Sequence, residues 1–292
     1  MKQKVALVLS SGGSKGLIHI GVINELEKHG FEISSISGSS IGSVIGGLYA
    51  MGKLTEYTNW VKPFTKRSIW DLMDFTISSN GLMKGEKVFN KMKTFIPDMH
   101  IEKMNIPFAA IATDIINEKE IVFTTGSFYE AVRASIAIPS IITPVKYKDT
   151  FLVDGGVLSP VPIEYVKRSA NDILVVVNLY GKKENLIANP KIVEKKNNGY
   201  YGILNDFVDN VNRLVSSGDK ESPGYFSLLN TATRAMVHKL AKENIEKYQP
   251  DIIINLPFDI ANTFDFHKAD ELIELGEKAA TKEITKYLNS KK

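Results

Sequence analysis

The chain has 292 residues, 43% of them hydrophobic and 24% charged, which suits a folded globular protein and excludes a disordered or fibrous one. Basic residues outnumber acidic ones 36 to 33, a net charge of +3. That is too little to argue for a nucleic-acid partner, and it is compatible with transient contact at an anionic membrane surface. Cysteine is absent, so disulfides, thiolate metal sites and a cysteine nucleophile are excluded. The five histidines (His19, His29, His100, His238 and His267) are scattered with no pair at zinc-ligand spacing, and no metal is expected.

Val5–Leu9 reads as a buried strand, too short for a signal-peptide core, and ends in Ser10-Ser11-Gly12-Gly13. From Gly16 the apolar positions Leu17, Ile20, Val22, Ile23 and Leu26 fit one face of a helix that stops near Gly30. A short strand over Ile33–Ile36 leads into Gly38-Ser39-Ser40-Ile41-Gly42 and a second helix to about Met51. The run from Ile33 to Gly52 lacks charge and approaches the length of a membrane span, but its serines and glycines argue against one. Strand, glycine turn and helix, twice over, predict a parallel sheet with helices on its faces.

Residues 54–106 carry aromatic and lysine-rich helical fragments broken by Pro63 and Pro97, and read as an insertion over the sheet, a candidate cap. Strands are expected at 107–113, 121–123, 149–153 and Ile173–Val177, with helices at 127–136 and 162–169. Residues 181–200 are rich in Lys and Asn and read as a surface loop. From 201 to 292 the chain reads as mainly helical and packed on the same core, with a strand at Asp251–Leu256 and a final helix at 268–288. Leu204, Phe207, Val208, Val211, Leu214 and Val215 form a stripe at helical spacing, which suits a core-facing helix or a lipid-facing lid. No linker or internal repeat divides residues 1–292, and the expectation is one domain in the cytoplasm, at most peripheral to a membrane.

Three segments carry chemistry. Gly38-x-Ser40-x-Gly42 lies between a strand and a helix, the setting of a nucleophile elbow. The helix N-terminus that follows offers unpaired amides to developing negative charge. Glycines at 38, 42 and 46 let that helix approach the sheet closely. Gly12-Gly13-Ser14-Lys15-Gly16 also joins strand to helix and presents backbone N–H groups that suit a phosphate or an oxyanion. As a P-loop it fails, because Lys15 precedes Gly16 and Leu17 takes the hydroxyl position. As a dinucleotide fingerprint it lacks glycine at Ser11. Asp154-Gly155-Gly156 follows the strand Phe151-Leu152-Val153, and fits either a site carboxylate or a structural turn capped by Asp.

In this order the three segments resemble the bacterial patatin-like phospholipase family. His19-Ile20-Gly21-Val22 follows the first loop as in that family, and Ala131-Val132-Arg133-Ala134-Ser135-Ile136-Ala137-Ile138-Pro139 precedes the aspartate at the expected distance. Asp265-Phe266 and Glu271-Leu272-Ile273 with Gly276 resemble its tail. The resemblance implies a three-layer α/β/α fold with a mainly parallel sheet and a serine acyl hydrolase of lipid esters that needs no cofactor. It implies Ser40 as nucleophile, Asp154 as the other half of a dyad, and Gly12, Gly13 and the Ser14 amide as the oxyanion hole. Lys15, Gly16, Gly38, Gly42, Gly155 and Gly156 support the motifs.

Ser11 departs from the family's usual glycine, and a modest change in loop geometry is expected. Lys15 is expected to order its own loop or pair with a local acid, and His19 and Arg133 to be structural. A Ser-Asp-His triad would need His238 or His267. The competing functions are an inactive hydrolase-fold interaction protein and, more remotely, a nucleotide-binding protein.

Overall fold

The computed structural model describes residues 2–78, 81–181 and 225–291. Its residues cluster in two compact units, Met1–Lys183 with Leu240–Lys292, and Glu184–Lys239. In the first unit β1 (Lys4–Leu9) enters the 3-10 turn Gly13–Gly16 and α1 (Leu17–Lys28), and β2 (Glu32–Ser39) enters α2 (Ile41–Ala50). Next come α3 (Leu54–Val61), α4 (Lys66–Leu72), the hairpin β3 (Phe75–Ser78) and β4 (Gly81–Met83), and α5 (Glu86–Lys93). The chain continues through β5 (Phe108–Asp114), β6 (Lys119–Phe123), α6 (Phe128–Ser135), β7 (Val145–Tyr147), β8 (Thr150–Asp154) and β9 (Ile173–Gly181). Helix α7 (Tyr225–Tyr248), β10 (Ile252–Pro257) and α8 (Ala269–Ser290) complete the described chain. The second unit is described only over 225–239, the first part of α7.

The main sheet runs β10-β9-β1-β2-β5-β8-β7, with β6 added to β5. Its first five strands are parallel, and β6, β7 and β8 join antiparallel. Strand alternation divides the core between two faces. Val5, Leu7 and Leu9 pack with Val175 and Val177 against the apolar sides of α1, α2 and α8. Ala6 and Val8 pack with Leu174 and Val176 against Val161, Ile163 and Ala241 on the other face. Both faces of a mostly parallel sheet are therefore covered, the three-layer α/β/α arrangement that such continuous apolar strands require.

The helix expected at 162–169 is absent, and a single 3-10 turn, Ile163–Tyr165, stands there. The Pro162 carbonyl accepts from Ser37 Oγ at 2.7 Å as well as from the Tyr165 amide at 3.4 Å, and that of Lys167 accepts from Ser35 Oγ at 2.5 Å, so serines of β2 tie this segment to the sheet. Strand β2 runs three residues beyond Ile36, where Ser37, Gly38 and Ser39 pair with β5. The hairpin β3–β4 and strand β7 were not foreseen. The loop expected at 181–200 and the stripe from Leu204 to Val215 lie, apart from Gly181 at the end of β9, outside the described residues.

Gly42 fixes α2 to the sheet. A Cβ there would lie 2.2 Å from the Leu9 carbonyl oxygen and 2.7 Å from that of Ser10, contacts only a backbone shift could relieve. Gly42→Ala is expected to destabilise the protein by about 3 kcal/mol or more, as overpacking against backbone does. A denaturant midpoint equal to that of the unmodified chain would refute that.

Candidate functional site

Ser40 and Asp154 are 114 residues apart and meet through β5. Ser39, the last residue of β2, pairs with Ile111, while Asp154, the last residue of β8, pairs with Ala112. Strand β6 pairs with β5 over Ala110–Asp114, which leaves β2 and β8 to meet end to end along its other edge. The two residues thus face each other at the carboxyl end of the parallel strands, where open α/β sheets place their ligands.

Ser40 has φ 53° and ψ −126°, a left-handed conformation costing a non-glycine residue about 1–3 kcal/mol. The sharp turn puts its hydroxyl 2.5 Å from Asp154 Oδ2, to which it donates. Asp154 Oδ1 accepts the Gly156 amide at 2.7 Å, so one oxygen anchors the carboxylate and the other meets the serine. Both side chains are buried. Desolvation pushes the Asp154 carboxyl up to about 6, while the bonds from Ser40 and Gly156 pull the other way. The result is a carboxylate basic enough to take a proton yet ionised at neutral pH.

Ser135 supports the elbow, and the sequence reading gave it no role. Its Oγ accepts the Ser40 amide at 2.8 Å and donates to the Ile111 carbonyl at 2.5 Å, tying the elbow to β5. The only signal was a serine inside Ala131–Pro139. Ser135→Ala would leave the Ser40 amide and the Ile111 carbonyl unpaired in a buried place. We expect kcat to fall about tenfold to a hundredfold with KM little changed, as loss of transition-state alignment predicts. Steady-state kinetics on a soluble ester would reveal it, and a rise in KM alone would argue against it.

The glycine loop lies alongside. Gly13 has φ +60°, and a Cβ on it would sit 2.9 Å from the Thr263 carbonyl oxygen, so glycine is required there. Among the described residues, the amides of Gly12 and Gly13 have no hydrogen-bond acceptor, nor has that of Ile41 at the start of α2. The Ser14 amide, expected to join them, donates instead to the Thr263 carbonyl at 2.9 Å, and Ser14 Oγ to that of Asn262 at 2.7 Å. Ser14 is therefore corrected from hole donor to anchor of the 262–266 loop.

Lys15 is buried, with its ammonium 2.8 Å from the Phe258 carbonyl and 3.4 Å from that of Leu179, which ties the glycine loop to the ends of β9 and β10. The Ser11 hydroxyl shares a 2.5 Å hydrogen bond with Tyr180, and its amide donates to Pro160, which accommodates the extra side chain. The hydrogen bonds from the Ser40 hydroxyl and the Gly156 amide to the Asp154 carboxylate involve no histidine. His19 is fully buried with Nε2 2.9 Å from the Ser10 carbonyl, and burial lowers its pKa to about 4, so it is a neutral structural ring. Arg133 donates to the Thr143 carbonyl and hydroxyl at 3.0 Å each.

Above Ser40 and Gly13 opens a cavity of about 160 Å³. Its walls are Val44 of α2, Tyr57, Trp60 and Phe64 in and after α3, Ile69 and Leu72 of α4, Phe89 and Met92 of α5, and Phe264 and Phe266. Among the described residues Asp74 is its one charged lining residue, and its carboxylate oxygens accept the amides of Gly85, Glu86 and Lys87. An apolar chamber ending at a serine suits a hydrocarbon chain whose carboxyl ester reaches Ser40.

The sequence profile described as Patatin-like phospholipase matches residues 7–167, more than half of the chain. The chain belongs to the patatin-like phospholipase family. Members of that family are carboxylic ester hydrolases that act on lipids. An uncharacterized NTE family protein of Mycobacterium tuberculosis is 30% identical to this patatin-like chain, over 97% of it and 92% of the relative. Lysophospholipase NTE1 of Meyerozyma guilliermondii is 29% identical over 99% of the chain, which spans only 20% of that larger protein. Among solved structures, VipD from Legionella pneumophila matches with a TM-score of 0.48 at 16% identity, over 99% of this chain and 67% of its own. No described helix is long and apolar enough to cross a membrane.

Proposed function

We propose that the protein is a serine acyl hydrolase that cleaves carboxylic esters of lipids through an acyl-Ser40 intermediate, with Asp154 as its base. The observation that carries this reading is the 2.5 Å hydrogen bond from a strained serine hydroxyl to a buried carboxylate, at the floor of an apolar cavity. Ser40 Oγ attacks the ester carbonyl carbon while its proton passes to Asp154. The carbonyl oxygen gains negative charge and lies against the Gly12 and Gly13 amides, with Ile41 as a third donor. Such donors are worth about 3–4 kcal/mol each when preorganised. As the tetrahedral intermediate collapses, Asp154 returns the proton to the leaving alcohol oxygen, and Ser40 keeps the acyl group. Water then adds to the acyl carbon, gives a proton to Asp154, and the fatty acid leaves as Ser40 recovers that proton. No step calls on a cofactor.

Residues 54–106 act as the cap that holds the acyl chain, and residues 1–292 as one patatin-like domain. Lysophospholipids are the first substrates to test, since the yeast relatives are named lysophospholipases. Incubation with lysophosphatidylcholine, phosphatidylcholine and diacylglycerol, with fatty-acid release read by mass spectrometry, tests the substrate class. A fluorophosphonate adduct of one per chain tests the nucleophile. No adduct on folded protein, with a short-chain ester also left intact, would replace this reading with an interaction protein that keeps the hydrolase fold.

A further inference from the structure

The segment between β10 and α8 meets the site in two ways. Thr263, Phe264 and Phe266 line the cavity above Ser40. The same segment holds the glycine loop. The Thr263 carbonyl accepts the Ser14 amide at 2.9 Å, and the Asn262 carbonyl accepts Ser14 Oγ at 2.7 Å. Thr263 also lies directly on Gly13, since a Cβ there would be 2.9 Å from its carbonyl oxygen and 3.0 Å from its Cα. The place of the Gly13 amide is therefore set by residues 262 and 263.

Asn262 and Thr263 are themselves exposed, and burial does not hold them. Asp265, 4% exposed, does. Its Oδ2 accepts the Asn262 amide at 3.1 Å and Asn262 Nδ2 at 3.2 Å, and lies 3.2 Å from the Lys268 ammonium. The Asp265 amide donates back to the Asn262 carbonyl at 3.2 Å, so side chain and backbone together close 262–265 into one turn. Burial pushes the Asp265 carboxyl up, but the Asn262 amide, Lys268 and His267 outweigh it and hold the group below the ordinary aspartate value. It is thus an ionised acceptor at neutral pH. Asp265 lies outside residues 7–167, the part matched by the family profile.

We propose that Asp265 is a positioning residue of the oxyanion hole. It fixes Asn262 and Thr263, these fix Ser14 and Gly13, and the Gly13 amide is held where the substrate's carbonyl oxygen gains charge. A displaced amide stabilises the transition state less while the acyl chain still binds. A loop that simply melted would act differently. Thr263, Phe264 and Phe266 would then leave the cavity wall, and binding itself would weaken. The proposal rests on the hydrolase reading.

The test is steady-state hydrolysis of a soluble ester by the full chain. Asp265→Ala should lower kcat about thirtyfold and leave KM within about twofold of the parent. An alkyl trifluoromethyl ketone reads the hole directly. Ser40 Oγ adds to its carbonyl carbon, the serine proton passes to Asp154, and the ketone oxygen becomes the oxyanion. Its inhibition constant should rise by the factor by which kcat falls, as for any transition-state analogue. The matching methyl ketone, which fills the cavity without that adduct, should bind as before. Asp265→Asn keeps an oxygen acceptor for Asn262 and should stay within about threefold of the parent kcat. Ser14→Ala removes the hydroxyl at the other end of this chain of bonds. It should show the same pattern more weakly, and it carries the test if Asp265→Ala does not fold. Unchanged kcat in both alanine variants, methyl ketone binding lost in step with kcat, or an asparagine variant as slow as alanine would each overturn the proposal. A parent chain that cleaves no ester and takes no fluorophosphonate would overturn the hydrolase reading as well, whereas an active parent with unaffected variants sinks this proposal alone.

Discussion

Replacing Ser40 by alanine is expected to lower ester hydrolysis by about 10⁵- to 10⁶-fold and to remove the fluorophosphonate adduct, the scale seen when a serine hydrolase loses its nucleophile. The fold should scarcely notice. Alanine deletes one buried hydrogen bond, to Asp154 Oδ2, and one buried hydroxyl, a balance worth about 1 kcal/mol either way. The comparison with glycine is sharper. At φ 53° alanine keeps the backbone strain of Ser40, whereas Ser40→Gly releases it. Both variants should be equally inactive, with Ser40→Gly melting higher than Ser40→Ala by the equivalent of about 1–2 kcal/mol. Residual turnover above a thousandth of the parent rate in Ser40→Ala would place the nucleophile elsewhere. A glycine variant no more stable than alanine would mean that the elbow carries no strain.

The strands that bear the two reacting residues were legible because apolar runs and glycine turns are local signals. Val5–Leu9 and Ile173–Val177 read directly as central strands, and Gly38-x-Ser40-x-Gly42 announced its turn. What could not be read was everything set by partners far along the chain. Nothing local shows that β2 and β8 meet end to end on β5, which is what turns two motifs into one site. The Ser14 amide looked as available as those of Gly12 and Gly13, and only the Thr263 carbonyl, 249 positions later, occupies it. Ser37 fell outside the strand expected over Ile33–Ile36, because what it pairs with is a polar carbonyl of the 162–167 segment instead of an apolar helix. The aromatic residues of 57–95 were visible, but whether they enclose a chamber or simply pack together is a matter of volume, and pattern carries no volume.

Asp154→Asn should reveal what the buried carboxylate costs and what it gives. Catalysis needs its ionised form, so the acylation rate of the parent protein should fall tenfold per unit as pH drops below about 6. The asparagine variant should lose about 10⁴-fold in rate at neutral pH and show no such limb. Stability should move in the opposite direction. The folded protein holds the Asp154 proton up to about 6, against 3.8 for an ordinary aspartate, so between those values the native state binds more protons than the unfolded chain. Stability from this group therefore declines as pH rises through that window and is flat above it. The full penalty at neutral pH, from a shift of about two units, is about 3 kcal/mol. Asparagine escapes it. Asp154→Asn should match the parent below pH 4, gain on it from pH 4 to 6, and stay ahead above that by a few kcal/mol, read from denaturant unfolding at several pH values. A gap independent of pH would show that the carboxylate is not desolvated as its burial requires. Persistence of the acid limb in the variant would assign the base to another group. If both expectations hold, the same burial makes Asp154 a competent base without a histidine and a liability to the fold.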